Sequence, residues 1–301
     1  MSTIAVTGAT GHLGRLVVEG LLVRGLPAGD VVAVVRNPAK VADLAAHGVD
    51  VRVGDYSDPA SLPGALAGVD VLLLISGSGQ LLAQHTAVIG AAQRAGVRRI
   101  VYTSALRADR THLALAGEHL ATEKLLQESG LEYTILRNGQ YIQNYTDRMA
   151  QFLAQGEIVG ATTNRAFAAA TRANYAEAAV TTLVQDDHTD AIYQLGGTPF
   201  TMTELAAAIT DATGSTVTYR DVSSAELLAL LQARGVPEFY AGFFVELEES
   251  AAIGAQDTDS GDLPRLIGRP STPLADAVMA AVQERGAGGT TNSRTPAQPS
   301  A

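Results

Sequence analysis

Thr3-Ile4-Ala5-Val6-Thr7-Gly8-Ala9-Thr10-Gly11-His12-Leu13-Gly14 is a short β-branched run ending in three regularly spaced glycines. A helical pattern through Leu16, Val17, Gly20 and Leu21 follows it. Between a strand and a helix, one glycine permits the tight turn, one lets backbone N–H groups approach a pyrophosphate, and one lets the helix pack close to the strand. The phosphates then rest on the positive end of the helix. The strand before and the helix after make this a dinucleotide-binding loop rather than a turn that merely requires glycine.

Outward from this loop, β-branched runs alternate with amphipathic stretches of helical length. Thr3 to Thr7, Val31 to Val35, Val49 to Val53, Val71 to Ile75, Arg99 to Thr103 and Tyr133 to Leu136 read as strands. Strands apolar on both faces and separated by helices belong to a parallel sheet covered on both sides. The expectation is therefore an α/β protein with a Rossmann-type doubly wound parallel sheet over residues 1–150. A smaller C-terminal α/β lobe is expected over 151–285, with strands from 155–200 available to the sheet. In that lobe Ala191 to Leu195 looks strand-like, and Thr203 to Thr213 and Ser224 to Arg234 look like helices with Thr or Ser start signals. Residues 286–301, rich in Gly, Thr, Ser and Pro, read as a disordered tail.

Composition narrows the function. Of 301 residues, 47% are hydrophobic, and 21 basic against 31 acidic residues give a net charge of −10, which disfavours nucleic acid and anionic lipid as partners. The absence of cysteine excludes disulfides, thiolate metal sites and cysteine nucleophiles, and it suits a reducing cytoplasm. The amino terminus lacks the form of a secretory signal, and the longest apolar run, Val69 to Ile75, is too short to span a membrane. The histidines show no metal-ligand spacing and Gly77-Ser78-Gly79 completes no hydrolase elbow, so neither a metal nor a serine nucleophile is expected.

The second strand ends in Val35-Arg36-Asn37-Pro38-Ala39-Lys40, without the carboxylate that would accept from the ribose 2′-hydroxyl of NAD. A guanidinium there suits a 2′-phosphate, with Lys40 one helical turn on, so the expected cofactor is NADPH.

In order along the chain, TGATGHLG, VVAVVRNPAK, GDYSD, LLLISG, VYTS, HLATEK, TILRNGQY and ATRANYA resemble the NmrA-like branch of the atypical short-chain dehydrogenases. The likeness runs from residue 3 to about residue 279. It implies pyrophosphate contacts at Gly8, Thr10, Gly11, His12 and Leu13, with Arg36 on the 2′-phosphate. It further implies Ser76 and Gly77 at the nicotinamide ribose and Lys124 on the ribose hydroxyls. Asn138, Gly139, Gln140, Tyr141, Ile142 and Gln143 would face nicotinamide and substrate. The implied reaction is two-electron reduction of a quinone by NADPH. The same branch holds dye reductases and an NADP-sensing regulator without turnover, and oligomeric state is left open.

Carbonyl-reducing relatives place a tyrosine four residues before the lysine as proton donor, whereas this chain has Leu120. His119 lies about 140° around a helix from Lys124 and is expected to pair with Glu123 instead. A quinone tolerates the gap, because its reduced form is a phenolic anion rather than a strongly basic alkoxide. Water or Tyr141 would deliver the proton, which makes Lys124 and Tyr141 the catalytic candidates. Phe239, Tyr240, Phe243 and Phe244 read as core more readily than as the roof of a pocket. Arg172 reaches the cleft or pairs with acids, and Arg94, Arg98 and Arg99 read as a solvated basic face.

Overall fold

The computed structural model describes residues 2–77, 80–110 and 114–287. The first half runs β1 (Ile4–Thr7), α1 (His12–Val23), β2 (Val31–Val35), α2 (Ala42–Ala46), β3 (Asp50–Val53), α3 (Leu62–Leu66), β4 (Val71–Leu74), α4 (Leu81–Ala95), β5 (Arg99–Ala105), α5 (Ala114–Glu128) and β6 (Glu132–Asn138). The second runs β7 (Gln140–Tyr141), α6 (Gln143–Thr146), α7 (Met149–Gln155), β8 (Glu157–Gly160), β9 (Phe167–Ala170), α8 (Arg172–Val184), β10 (Ala191–Leu195), β11 (Pro199–Phe200), α9 (Met202–Thr213), β12 (Thr218–Asp221), α10 (Ser224–Ala233), α11 (Glu238–Ala252), α12 (Asp262–Ile267) and α13 (Leu274–Ala287).

Seven parallel strands form the main sheet in the order β10-β6-β5-β4-β1-β2-β3. The residues of β1, β2 and β4 are buried along their whole length, as strands covered on both faces must be. One face packs Val17, Val18 and Leu21 of α1 with Ala179, Val180 and Leu183 of α8 and Leu263 of α12. The opposite face packs Leu62 and Leu66 of α3, Val88 and Ile89 of α4, and Leu126 of α5. Strand order reverses between β1 and β4, which leaves a crevice beyond their carboxyl ends.

Ala191 to Leu195, within the 155–200 stretch expected to offer strands to the sheet, joins it. It pairs with β6 from Ala191↔Thr134 to Leu195↔Asn138 and is the seventh strand. Together with α8, it makes the second half of the chain part of the first half's core. The rest of that half has its own core around Phe152, Phe167, Phe200, Leu205 and Ile209. The Thr201 side chain accepts from Glu204 N and closes a capping box at the start of α9, and the Ser223 side chain accepts from Glu226 N at the start of α10. Helix α13 continues to Ala287, and the remainder of the segment read as a tail lies outside the described residues.

The basic cluster is not one solvated face. Arg94 and Arg98 are exposed, but Arg99 is 0% exposed and its Nη2 donates to Leu183 O and Gln185 O at the end of α8. The alternation of β5 turns Arg99 inward, where it meets carbonyls that the helix leaves unpaired. Among the described residues no helix is long and apolar enough to cross a membrane.

Candidate active site

Gly8 takes φ +61°, a left-handed conformation, and Gly11 N–H closes the turn onto Gly8 O at 2.8 Å. A Cβ at Gly14 would lie 2.4 Å from Gly8 O, so only glycine lets α1 start this close to β1. Gly11 is the N-cap of α1; no side chain caps the helix and no acid sits in its first turn. An uncapped N-terminus concentrates partial positive charge.

It opens on a cleft of about 380 Å³ at the strand-order reversal. Gly8, Thr10, Gly11, His12 and Leu13 line it, as do Arg36 from the end of β2 and Ser76 and Gly77 after β4. The exposed Arg36 guanidinium has no ion-pair or hydrogen-bond partner among the described residues, whereas nearby Arg15 is held by Glu19 and Asp43. Lys40 sits in the turn Pro38–Val41 and is not part of the lining.

The segment after β6 is divided between cleft and core. In the short strand β7, Tyr141 pairs with Ala170 and borders the cleft, while Gln140 turns inward to Gln256 and Tyr145. Ile142 is buried in the second core, and Gln143 accepts from Arg172 N at 3.0 Å. Gly139 fits where a Cβ would lie 2.7 Å from Ala168 O. Asn138 Oδ1 is buried without a hydrogen-bond partner among the described residues, and neither Asn138 nor Gly139 is part of the cleft lining. The alternation of an extended chain therefore removes Gln140 and Ile142 from direct ligand contact.

Arg172 reaches the cleft and also pairs with an acid. Its guanidinium lies 5.6 Å from the Tyr141 ring centre, and Nη1 meets Asp147 Oδ2 at 3.1 Å.

Lys124 is not at the cleft. Its side chain is 74% exposed on α5, with Nζ 3.8 Å from Glu128 Oε1. The inward face of α5 carries His119, Thr122 and Glu123. His119 meets the Tyr102 hydroxyl at 2.7 Å rather than Glu123. Glu123 forms a two-point pair with Arg137 and accepts from Ser104 at 2.5 Å. Burial of this pair sets the rotation of α5 and turns Lys124 to solvent. Leu120 does not line the cleft. The four aromatic candidates lie on α11, away from the cleft; Phe239 is 76% exposed, and Phe244 packs in a satellite cluster beside the Arg148 guanidinium.

Tyr56 of the GDYSD segment also lines the cleft. Its hydroxyl reaches Thr7 Oγ1 and Ile75 O and ties the carboxyl ends of β1 and β4 to the loop after β3. Burial holds its phenol above the ordinary range. Its place after the third strand of a doubly wound sheet was the available signal.

The NAD(P)H-binding family matches residues 8–186. Quinone oxidoreductase 2 of Escherichia coli (strain K12) is 46% identical over 278 residues, 91% of this chain and 97% of that one. This chain belongs to the NAD(P)H-binding, NmrA-like family. The crystal structure of the family's NADPH-dependent quinone oxidoreductase QOR2 from Escherichia coli, complexed with NADPH, matches at TM-score 0.90 and 45% identity, covering 93% of this chain and 99% of that one. Citrobacter sp. triphenylmethane reductase complexed with NADP(H) matches at TM-score 0.88 and 38% identity, covering 92% and 99%.

The residues present suit the family's dinucleotide. The glycine cradle leaves no room for side chains where phosphates would sit, and the guanidinium of Arg36 waits at the second strand.

Proposed function

We propose that this chain catalyses NADPH-dependent two-electron reduction of quinones. The observation that carries the reading is the 46% identity to a quinone oxidoreductase along nearly the whole of both chains. The cleft supports it residue by residue. The open N-terminus of α1 and the glycine backbone hold the pyrophosphate, and Arg36 receives the 2′-phosphate through paired charge-assisted hydrogen bonds. Ile75, Ser76 and Gly77 border the middle of the cleft, and Tyr141 with Arg172 walls its far end. When bound, NADPH supplies the hydride; the protein supplies position and a dry surface for a flat acceptor.

Neither Leu120 nor Lys124 takes part in this arrangement, so the tyrosine–lysine pair of carbonyl-reducing relatives has no counterpart on α5. A quinone suits such a site because its reduced form is a phenolic anion. A chain with no cysteine and a net charge of −10 fits a cytoplasmic enzyme acting on small molecules rather than on nucleic acid.

The test is loss of NADPH absorbance with a panel of quinones and triphenylmethane dyes. Turnover of quinones at or above the rate for dyes is the expected result. Tight NADPH binding with no turnover of any acceptor would instead favour a redox sensor of the NmrA type.

A further inference from the structure

We infer that Tyr141 is the proton donor to the reduced acceptor, with Arg172 as the residue that positions its phenol; this rests on the quinone-reductase reading. Two elements converge on the side chain. Strand β7 turns it into the cleft, Tyr175 meets its ring edge-on at 5.3 Å, and the Arg172 guanidinium lies 5.6 Å from the ring centre. Arg172 is itself fixed, with backbone N on Gln143 Oε1 and Nη1 on Asp147.

Tyr141 lines the cleft, and its hydroxyl makes no hydrogen bond to a described residue. Tyr56, the other tyrosine at the cleft, already directs its hydroxyl to Thr7 and Ile75. Burial raises the Tyr141 phenol above its ordinary value, and the Asn138 side chain and the Arg172 charge pull it back. Asp147 partly offsets Arg172, and Tyr175 is the remaining titratable neighbour.

The step balances. A hydride brings the quinone two electrons and one proton equivalent, leaving a hydroquinone anion. The Tyr141 O–H bond then breaks, the proton forms an O–H bond on that anion, and the Tyr141 phenolate recovers a proton from water.

The experiment uses the full chain, native and as Tyr141→Phe and Arg172→Met. In one arm, tyrosines are replaced by difluorotyrosine, whose more acidic phenol titrates while the protein is folded. The fluorine resonance lost in Tyr141→Phe identifies the residue. Its midpoint is expected to move upward in Arg172→Met, and an unmoved midpoint would overturn the positioning role. In the other arm, Tyr141→Phe is expected to lower kcat with a quinone about tenfold or more while NADPH affinity stays within about threefold. The alkaline limb of the native kcat profile should shift downward on fluorination, and that shift should vanish in Tyr141→Phe. Equal native and Tyr141→Phe rates across the pH range would make water the donor and sink the proposal. If the native protein turns over no quinone, the function reading fails, while the fluorine titration still reports whether Arg172 acts on Tyr141.

Discussion

At the glycine loop the cleft is made of backbone, and at its far end it is made of side chains. Gly8, Gly11 and Gly14 act by what they lack, and the hydrogen bonds that shape the loop lie within a few residues of one another. Tyr141 and Arg172 line the far end with side chains drawn from β7 and α8, and the groups that hold them, Asp147, Gln143 and Tyr175, come from still other positions. The first kind of site is written in residue type and spacing. The second depends on which way each element is rotated when it packs, as α5 illustrates: adjacent Glu123 and Lys124 point respectively into the core and into water.

That contrast can be tested on both sides. The largest effect is expected from Glu123→Gln, which leaves the buried Arg137 with only Asp109 as a charged partner; about 3 kcal/mol of stability should be lost in urea unfolding. A loss under about 1 kcal/mol would mean that the buried pair does not hold α5 in place.

Acidification probes the same region. Burial, the larger cause for both residues, pushes His85 and His119 down to about 4 from 6.5. Between those values the unfolded chain binds protons that the native histidines refuse, so stability should fall as pH falls through the window, by up to about 3 kcal/mol per histidine. Flat stability from pH 6.5 to 4 would show that one or both rings find a partner for the charged form.

At the backbone end, Gly14→Ala forces a methyl against Gly8 O, and a loss of about 1–3 kcal/mol with weakened NADPH binding is expected. Native melting temperature and affinity in this variant would show that the loop can open at little cost. Next, Arg36→Ala should remove about 1.5–3 kcal/mol of NADPH affinity, roughly ten- to hundredfold, and leave NADH binding nearly unchanged. Equal losses for both cofactors would place Arg36 away from the 2′-phosphate.

The smallest effect is expected at Lys124. Lys124→Ala removes one exposed ion pair and should change stability by less than about 0.5 kcal/mol, with NADPH affinity unaltered in a fluorescence titration. A marked loss of affinity would return the lysine to the cofactor and break the contrast drawn on α5.

Residue type and period were enough to read the doubly wound sheet, the position of the cleft and the bias toward a 2′-phosphate. Each rests on a local requirement: apolar strands buried on both faces, glycine where no Cβ fits, and a guanidinium in place of a carboxylate at the end of β2. Folding alone settled that Ala191–Leu195 completes the sheet, that Arg99 is buried, that Tyr56 lines the cleft, and that Gln140 and Ile142 face inward beside an outward Tyr141. The HLATEK spacing told which residues share a helix face but not where that face points. Its direction comes from pairing Glu123 with Ser104 and Arg137, groups on two neighbouring strands, and burying an ion pair only where both partners meet is a property of the packed chain.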